Sequence, residues 1–387
     1  MSSQYSGGER LIYLDNAATT FPKPAAVTDE VCRCMREYCG NPGRSGHRLS
    51  MAAAEKIYCC REELADFFAA SDPTRVVFTN NCTSALNLAL KGLCGKGFNV
   101  ITSDLEHNSV RRPLERLAKD GKITFSCFPA FVGDTDPSRI CREIASRIRP
   151  DTRVVAVTAA SNVCSAVLPL YEIGQICRRR GLILIVDGAQ GAGHVPIDMK
   201  AMNISMLAIP GHKGLYGPQG SGALILGDGI ELDTLTEGGS GSASYDPEMP
   251  SESPERYEAG TLSTPAIAGL YEGVRMVKQI GIRKISAHDK DLFRVCHSLL
   301  TSLPGIRVIA PEYEGSVISF ICDRLPCDGI AEELDRRGIC VRSGLHCSPW
   351  AHEALGTPDG TVRVSFSIFN TVNDVEALYL ALREILK

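Results

Sequence analysis

The most apolar stretch of strand length in the chain reads Leu182-Ile-Leu-Ile-Val-Asp-Gly-Ala-Gln190, and it follows a helical pattern from Tyr171 to Arg180. Similar apolar runs recur along the chain, at 75–79, 98–102, 153–158 and 223–226, with helical patterns at 83–91 and 110–119. Strands that alternate with helices indicate βαβ units and a mostly parallel sheet covered by helices on both faces. The predicted fold class is therefore α/β.

The pattern changes after the last of these strands. Residues 227–264 are rich in Gly, Ser, Glu and Pro, which is typical of a long functional or disordered loop. Shorter strands and helices follow, with helices predicted at 265–280, 328–337 and 372–387 and strands at 306–309, 317–321 and 363–366. This second half predicts a smaller α+β domain.

Charge and composition exclude several classes of protein. Of the 387 residues, 41 are Lys or Arg and 45 are Asp or Glu, so no positive field is available to bind nucleic acid or an anionic membrane. The start of the chain has no apolar signal region, and no apolar run is long enough to span a bilayer. We therefore expect a cytoplasmic protein with reduced thiols.

Cysteine is unusually frequent, with 16 residues, but no group of cysteines has the spacing of a zinc site. We therefore expect no metal, and we expect most of the cysteines to be small buried apolar residues.

An acid and a lysine carry the first chemical signal. Asp187 ends the most apolar strand, and Lys213 lies in the glycine-rich stretch Ile209–Pro218, which is predicted to be a turn before the next strand. Alone, the acid is typical of a turn and the lysine of a solvated surface. Together they match the needs of pyridoxal 5'-phosphate, which takes an amine for a Schiff base and an anion facing its pyridinium nitrogen.

Two further segments fit a cofactor that bears a phosphate. Residues 80–84 open a helix at Thr83, so its free N–H groups and hydroxyls suit a phosphate, although a plain N-cap explains them equally well. His107 follows the strand at 98–102 and suits stacking on an aromatic ring, although a lone histidine there is more often a loop residue.

Over nearly its whole length the chain resembles the class V (fold type I) pyridoxal-phosphate enzymes, specifically the group of cysteine desulfurases and selenocysteine lyases. The motifs that carry the resemblance are Tyr13-Leu-Asp-Asn-Ala-Ala-Thr19, Arg44-Ser-Gly-His47, Thr83, Glu106-His-Asn108, Ser161-Asn-Val163, Val186-Asp-Gly-Ala-Gln190, Gly211-His-Lys-Gly-Leu-Tyr-Gly-Pro218, Tyr257-Glu-Ala-Gly-Thr261 and Val341-Arg-Ser-Gly-Leu-His-Cys347. The resemblance implies pyridoxal phosphate, a homodimer, and the division into an N-terminal segment near the active site (1–15), a large cofactor domain (16–264) and a small domain (265–387).

The resemblance also assigns roles around the cofactor. Lys213 is implied as the lysine that binds the cofactor and removes the proton from the substrate Cα, and Asp187 as the partner of the pyridine nitrogen. The remaining contacts would come from Gln190 and Asn162 at the phenolic oxygen, His107 on the ring, and Thr83, His212 and the other subunit's Thr261 at the phosphate.

On the substrate side, the resemblance implies that Arg363 clamps the carboxylate of L-cysteine and that His47 and Arg342 approach the substrate. Cys347 would attack the substrate sulfur, leaving L-alanine and a persulfide that passes to an acceptor such as a separate small protein. The nucleophile must be a thiolate, which Arg342 and His346 would stabilise. A buried structural cysteine is the alternative, but the polar, turn-rich Ser343–Pro349 predicts an exposed loop.

The chain departs from the family pattern at four positions. Pro210 stands where a serine usually contacts the phosphate, Cys82 replaces a frequent threonine, Gly214 is inserted after the lysine, and Leu345 replaces a histidine. Proline has no N–H to donate, so phosphate binding has to be supplied elsewhere. A selenocysteine lyase or another class V aminotransferase or lyase is the alternative enzyme, and a cysteine-rich metal or redox protein is the alternative outside enzymes.

Overall fold

The computed structural model of the chain describes residues 11–43, 46–93, 97–130, 133, 136–241 and 245–387. Its strands are β1 (Ile12–Tyr13), β2 (Val76–Thr79), β3 (Phe98–Ser103), β4 (Ile123–Phe128), β5 (Thr152–Thr158), β6 (Ile183–Asp187), β7 (Met206–Pro210), β8 (Gly222–Leu226), β9 (Ile306–Ile309), β10 (Val317–Cys322), β11 (Ile339–Cys340), β12 (Arg342–Gly344) and β13 (Thr361–Ser365). Its helices are α1 (Ala25–Glu37), α2 (Arg48–Phe67), α3 (Cys82–Gly92), α4 (Asn108–Lys119), α5 (Pro137–Arg147), α6 (Leu170–Arg180), α7 (Thr264–Ile280), α8 (Ile282–Thr301), α9 (Cys327–Asp335), α10 (Pro349–Ala354) and α11 (Val372–Ile385).

A seven-stranded sheet in the order β2-β8-β7-β6-β5-β3-β4 forms the larger layer. β8 is antiparallel to both of its neighbours, and the other four pairings are parallel. Along β6, Leu184 and Val186 pack into one core and Ile185 into a second core on the opposite face. Because both faces are covered, the strand has no polar side and appears in the sequence as one continuous apolar run. The predicted α/β class and the mostly parallel sheet are confirmed.

A smaller antiparallel sheet, ordered β12-β13-β10-β9, packs against helices α8, α9 and α11 around its own core. Ile12 and Leu14 belong to this core, and β1 pairs with β11 in parallel, so the described part of the N-terminal segment is attached to the C-terminal sheet. Helix α7, in contrast, packs into the core of the large sheet through Ile267 and Leu270. The domain division at 264/265 remains a prediction.

Several elements were not expected from the sequence. Helices α1 and α2 lack a long apolar run because they bury narrow stripes, which in α1 consist of Val27, Glu30 and Cys34. β7 occupies Met206–Pro210, so the predicted turn at Ile209–Pro218 begins two residues too early. The described part of residues 227–263 holds neither helix nor strand, which confirms the predicted loop except for Thr264, the first residue of α7. No helix among the described residues is long and apolar enough to cross a membrane.

The cysteines are less buried than predicted. Among the described ones, Cys34, Cys60, Cys82, Cys164, Cys177 and Cys296 are buried, and the others are half-buried or exposed. The prediction that most of them are core residues is therefore wrong. Cys32 and Cys39 show the reason, since they lie on or next to the outer surface of α1, which a spacing pattern does not distinguish from its inner stripe.

Candidate active site

A cavity lies at the carboxyl ends of the parallel strands β3, β5, β6 and β7, where open α/β sheets hold their ligands. Its wall consists of Asn81, Cys82, Thr83, His107, Ser109, Thr158, Ala160, Asn162, Asp187, Ala189, Gln190, Pro210, His212 and Lys213. Every residue predicted to bind the cofactor is in this set, with the exception of Thr261. The structure therefore brings together residues that are more than a hundred positions apart in sequence.

Asp187 forms the acidic end of the cavity. Its side chain is buried, and among the described residues both hydrogen bonds that it accepts go to Oδ1, from the backbone N–H of Ala189 at 2.9 Å and from the Cys82 thiol at 3.4 Å. Burial, followed by the charge of Asp187, raises the pKa of Cys82 well above its usual value, so the thiol keeps its proton. Among the described residues no hydrogen bond goes to Oδ2, so this oxygen can accept one from a donor inside the cavity.

Lys213 begins the turn that follows β7. Burial lowers the pKa of its amine, and the charges of Arg363 and Arg342 lower it further, against the opposing effects of Cys82 and Asp187. A lysine that loses its proton more readily is a better nucleophile and base. The inserted Gly214 has a structural reason, because a Cβ there would lie 2.3 Å from the carbonyl oxygen of Ala192.

A chain of hydroxyl groups connects Thr83 to His107. Thr83 Oγ1 lies 2.8 Å from Ser109 Oγ, which in turn lies 2.8 Å from His107 Nδ1. The backbone N–H of Ser109 also donates to that nitrogen at 3.0 Å, which places the proton of the neutral ring on Nε2. Burial lowers the pKa of His107 to about 4, so the ring is neutral at physiological pH. Ser109 was missed in the sequence, although it stands in the first turn of α4.

The start of α3 separates the two interpretations of residues 80–84. Asn81 is the N-cap, since its side chain accepts the backbone N–H of Ser84 at 2.9 Å, whereas Thr83 lines the cavity. At the same end, His212 Nδ1 is buried without a hydrogen-bond partner among the described residues. Asn81 therefore caps the helix, and Thr83 adds a hydroxyl group to the wall of the cavity.

Arg363 lies in β13 and is almost fully buried. Its Nη2 donates to Asp15 Oδ1 at 2.8 Å and its Nη1 to the carbonyl oxygen of Asn162 at 3.1 Å, while Nε has no partner among the described residues. Arg342 is its cross-strand neighbour in β12. The two guanidinium groups therefore form a positive face beside Asn162. Asp15 was quoted only as part of a motif, and its pairing with Arg363 was not expected.

Cys347 occupies a short, exposed loop between β12 and α10, as predicted. The loop is held at both sides: the Asn108 N–H donates to the carbonyl oxygen of Cys347 at 2.8 Å, and Asn162 Nδ2 donates to that of His346 at 2.8 Å. Ser348 Oγ adds a bond to Asn162 Oδ1 at 2.7 Å. His346 and Cys347 have φ of 48° and 58°, so the turn is a tight left-handed one rather than a long mobile segment.

The expected role of His346 beside the thiol is wrong. Its ring is buried, with Nε2 bonded to Thr361 Oγ1 at 2.9 Å and Nδ1 unpartnered within the described structure. Burial lowers the pKa of His346 to about 2, so the imidazole is neutral and carries no positive charge toward a thiolate. A buried imidazole away from any acid cannot hold a second proton.

Three predicted residues make further contacts or lie elsewhere within this chain, and for Thr261, which was expected to act from the other subunit, this does not contradict the prediction. Gln190 lines the cavity, but its Nε2 donates to the carbonyl oxygen of Ala17 at 2.9 Å. His47 is exposed and accepts the Ser50 N–H as the N-cap of α2, and Thr261 is exposed on an adjacent cleft. Neither His47 nor Thr261 lines the cavity around Lys213 within this chain.

The cavity fits a phosphorylated pyridine. It offers a carboxylate with a free oxygen at one end, an amine of lowered pKa, a neutral imidazole at its wall, and an unpartnered imidazole nitrogen with hydroxyl groups at the other end. Among the described residues, no group of three or more His, Cys, Asp or Glu side chains is placed to hold a metal ion.

Comparison with known proteins gives the same assignment. Residues 12–378 match the family model described as aminotransferase class-V. A probable cysteine desulfurase of Methanothermobacter thermautotrophicus is 35% identical over 97% of this chain and 94% of its own length, and one of Pyrococcus abyssi is 32% identical over 98% of this chain and 95% of its own length. The apo structure of a cysteine desulfurase from Thermococcus onnurineus is 30% identical, with a TM-score of 0.88 over 97% of this chain and 94% of that one. The chain therefore belongs to the class-V aminotransferase family of pyridoxal-phosphate enzymes, within the group of the cysteine desulfurases.

Proposed function

We propose that this protein is a pyridoxal-phosphate-dependent cysteine desulfurase, which converts L-cysteine to L-alanine and carries the sulfur as a persulfide on Cys347. One observation carries the proposal: the exposed Cys347 is fixed beside the cavity by the 2.8 Å bond between its carbonyl oxygen and the N–H of Asn108, the residue after His107. An aminotransferase does not need a thiol at that place. The family assignment and the names of the relatives support the same activity.

In this proposal, the residues of the cavity hold the cofactor by both ends. Asp187 Oδ2 would accept a hydrogen bond from the protonated pyridine nitrogen, Lys213 Nζ would provide the covalent attachment, and Thr83, Ser109 and His212 would donate hydrogen bonds to the phosphate. His107 covers the ring, with Gln190 and Asn162 near its phenolic oxygen. When bound, pyridoxal phosphate supplies an electron sink for the negative charge that develops at the substrate Cα.

Substrate binding and proton transfer then follow from the positions of the charged groups. Arg363 and Arg342 orient the carboxylate of L-cysteine, because they are direct cross-strand partners and Arg363 still has unused N–H donors. Lys213, with its lowered pKa, takes the proton from Cα and returns one to the product. Neutral His107, protonated on Nε2, is placed to exchange a proton with the substrate amine.

The sulfur step needs no external oxidant. The Cys347 thiolate attacks the substrate sulfur, an S–S bond forms, and the substrate Cβ–S bond breaks with its electron pair left on Cβ. Cβ takes a proton, so L-alanine is released and Cys347 carries the persulfide. An acceptor thiol then removes the outer sulfur by attack on it. We propose a small protein as this acceptor, because an exposed turn is open to one.

The remaining parts of the proposal concern assembly. Thr261 and His47 lie outside the cavity of their own chain, which fits a homodimer in which they reach the partner's cavity. We also propose a cytoplasmic location and the division into segments 1–15, 16–264 and 265–387. Light scattering on the purified chain tests the homodimer, and a monomer at micromolar concentration would contradict it.

The deciding experiment measures sulfide and L-alanine from L-cysteine with a thiol reductant, for wild type, Cys347→Ser and Lys213→Ala. Equal amounts of both products, lost in either variant, establish the proposed activity. Activity that survives in Cys347→Ser would show another lyase or aminotransferase on this scaffold. A strong preference for L-selenocysteine that persists in Cys347→Ser would show a selenocysteine lyase. Wild type without cofactor absorbance would rule out all of these.

A further inference from the structure

The end of the cavity where the phosphate is proposed to bind, formed by Thr83, Ser109, Pro210 and His212, contains few positive charges. Thr83 and Ser109 offer neutral hydroxyl groups, and Pro210 offers no N–H at all. Burial lowers the pKa of His212 to about 4, with smaller contributions from Lys213 and Lys23, so this imidazole is also neutral. A phosphate monoester carries a charge of about −1.5 to −2 at pH 7. Apart from the partial positive charge of the N–H groups at the start of α3, the residues that line this end therefore offer no charge that balances the phosphate they are proposed to hold.

Lys23 lies directly behind His212. Its Nζ donates to the carbonyl oxygen of His212 at 2.8 Å and to Thr20 Oγ1 at 2.8 Å. Lys23 is half-buried, its pKa is lowered to about 8 by desolvation, and among the described residues no carboxylate acts on its ammonium group. A partly desolvated cation without a counter-ion is stabilised when a ligand supplies the opposite charge.

Three further hydrogen bonds fix the His212 carbonyl group that Lys23 contacts. The carbonyl oxygen of His212 also accepts from the hydroxyl groups of Thr19 at 3.1 Å and Thr20 at 3.2 Å, and from the backbone N–H of Thr20 at 3.1 Å. Lys213, the other charge that acts on His212, is used for the covalent bond to the cofactor. Lys23 is thus the cation left for the phosphate on this side of the cavity.

We propose that Lys23 is a positioning residue for the cofactor phosphate: it holds the His212 turn through the backbone carbonyl and supplies the positive charge that compensates for Pro210. The inference rests on the proposed function only in requiring pyridoxal phosphate as the ligand. It concerns binding of the cofactor and not the sulfur chemistry, so it is tested without turnover.

The test compares the dissociation constants of pyridoxal 5'-phosphate and of pyridoxal, which lacks the phosphate, for the full chain freed of cofactor. Lys23→Met removes the charge and the donor, and Lys23→Gln removes the charge but keeps a donor for the His212 carbonyl. We expect both variants to bind pyridoxal phosphate on the order of tenfold more weakly and pyridoxal as tightly as wild type. Thr19→Val is the matched control, because it removes a hydrogen bond to the same carbonyl and leaves the charge and the hydrogen bonds of Lys23 in place. It is expected to keep the wild-type ratio of the two constants.

Comparison of the two ligands distinguishes the effect of the Lys23 charge on the phosphate from its support of the His212 turn. Equal weakening of both would show that Lys23 only supports the fold of the turn, and unchanged binding of both would show that it does nothing for the phosphate; either result overturns the inference. Wild-type affinity for pyridoxal confirms that each variant is folded, and Lys23→Gln decides if Lys23→Met does not fold. A wild-type chain that binds pyridoxal phosphate but does not desulfurate L-cysteine would refute the proposed function and leave this inference standing.

Discussion

Replacement of Arg363 by alanine is the most direct test of the substrate site. Of the five N–H groups of this guanidinium, one reaches Asp15 and one reaches the carbonyl oxygen of Asn162, and the Nε–H is unpartnered among the described residues. The remaining donors are enough for two parallel hydrogen bonds to the carboxylate of the substrate. Each charge-assisted hydrogen bond contributes about 1.5–3 kcal/mol, so the loss of two is about 3–6 kcal/mol.

This loss corresponds to a fall in kcat/KM for L-cysteine on the order of 10²–10⁴-fold, expressed mainly in KM. Steady-state kinetics of L-alanine formation measures it. Arg363→Lys is the control, since it keeps the charge and loses the fork, and we expect an intermediate loss of about tenfold. The thermal midpoint of both variants must stay near that of wild type for the comparison to hold. If Arg363→Ala lowered kcat/KM less than about threefold in a folded protein, its role in binding the carboxylate would be wrong.

Three further predictions concern buried ionisable groups. Burial raises the pKa of Glu106 to about 8, so the native state holds a proton that the unfolded state releases near pH 4.5, and stability falls as the pH rises between these values. In thermal melts, Glu106→Gln should therefore be more stable relative to wild type at pH 8 than at pH 5. An equal difference between the two proteins at both pH values would contradict this. Glu258→Gln leaves Arg61 buried without its carboxylate and should lower the free energy of unfolding, measured by denaturant titration, by about 3–5 kcal/mol. A loss below about 1 kcal/mol would show that solvent compensates the charge of Arg61. His346→Asn should leave the pH profile of alkylation at Cys347 unchanged, as followed by peptide mass spectrometry, because the imidazole is neutral; a shifted profile would restore its electrostatic role.

Much of the fold was predictable because of how a buried parallel sheet is made. Strands such as β5 and β6 are covered on both faces, so each appears as a continuous apolar run that needs no partner to be seen. Helices α1 and α2 were not predicted, because a helix that buries a narrow stripe with a glutamate in it has no comparable signal. β7 was not predicted, and its last two residues were assigned to a turn because Pro210 and the glycines after it are typical of one.

Part of the chemistry at the strand ends could be predicted from the order of residues along the chain. The carboxyl end of a parallel strand faces the ligand side of the sheet, so Asp187, at the end of an apolar strand, could be assigned to that side from the sequence. Lys213 lies at the same edge because it follows β7, which was not predicted, and because the next strand, β8, is antiparallel. Only the tertiary structure decided the electrostatics and the pairings. Asp15 and Arg363 are 348 residues apart and meet because β1 pairs with β11 and Asp15 forms a bridge to Ser365 at the end of β13. Burial, which sequence does not give, makes His346 neutral. Long-range contacts and desolvation depend on which surfaces are packed together, and that is a property of the folded chain and not of any local stretch of it.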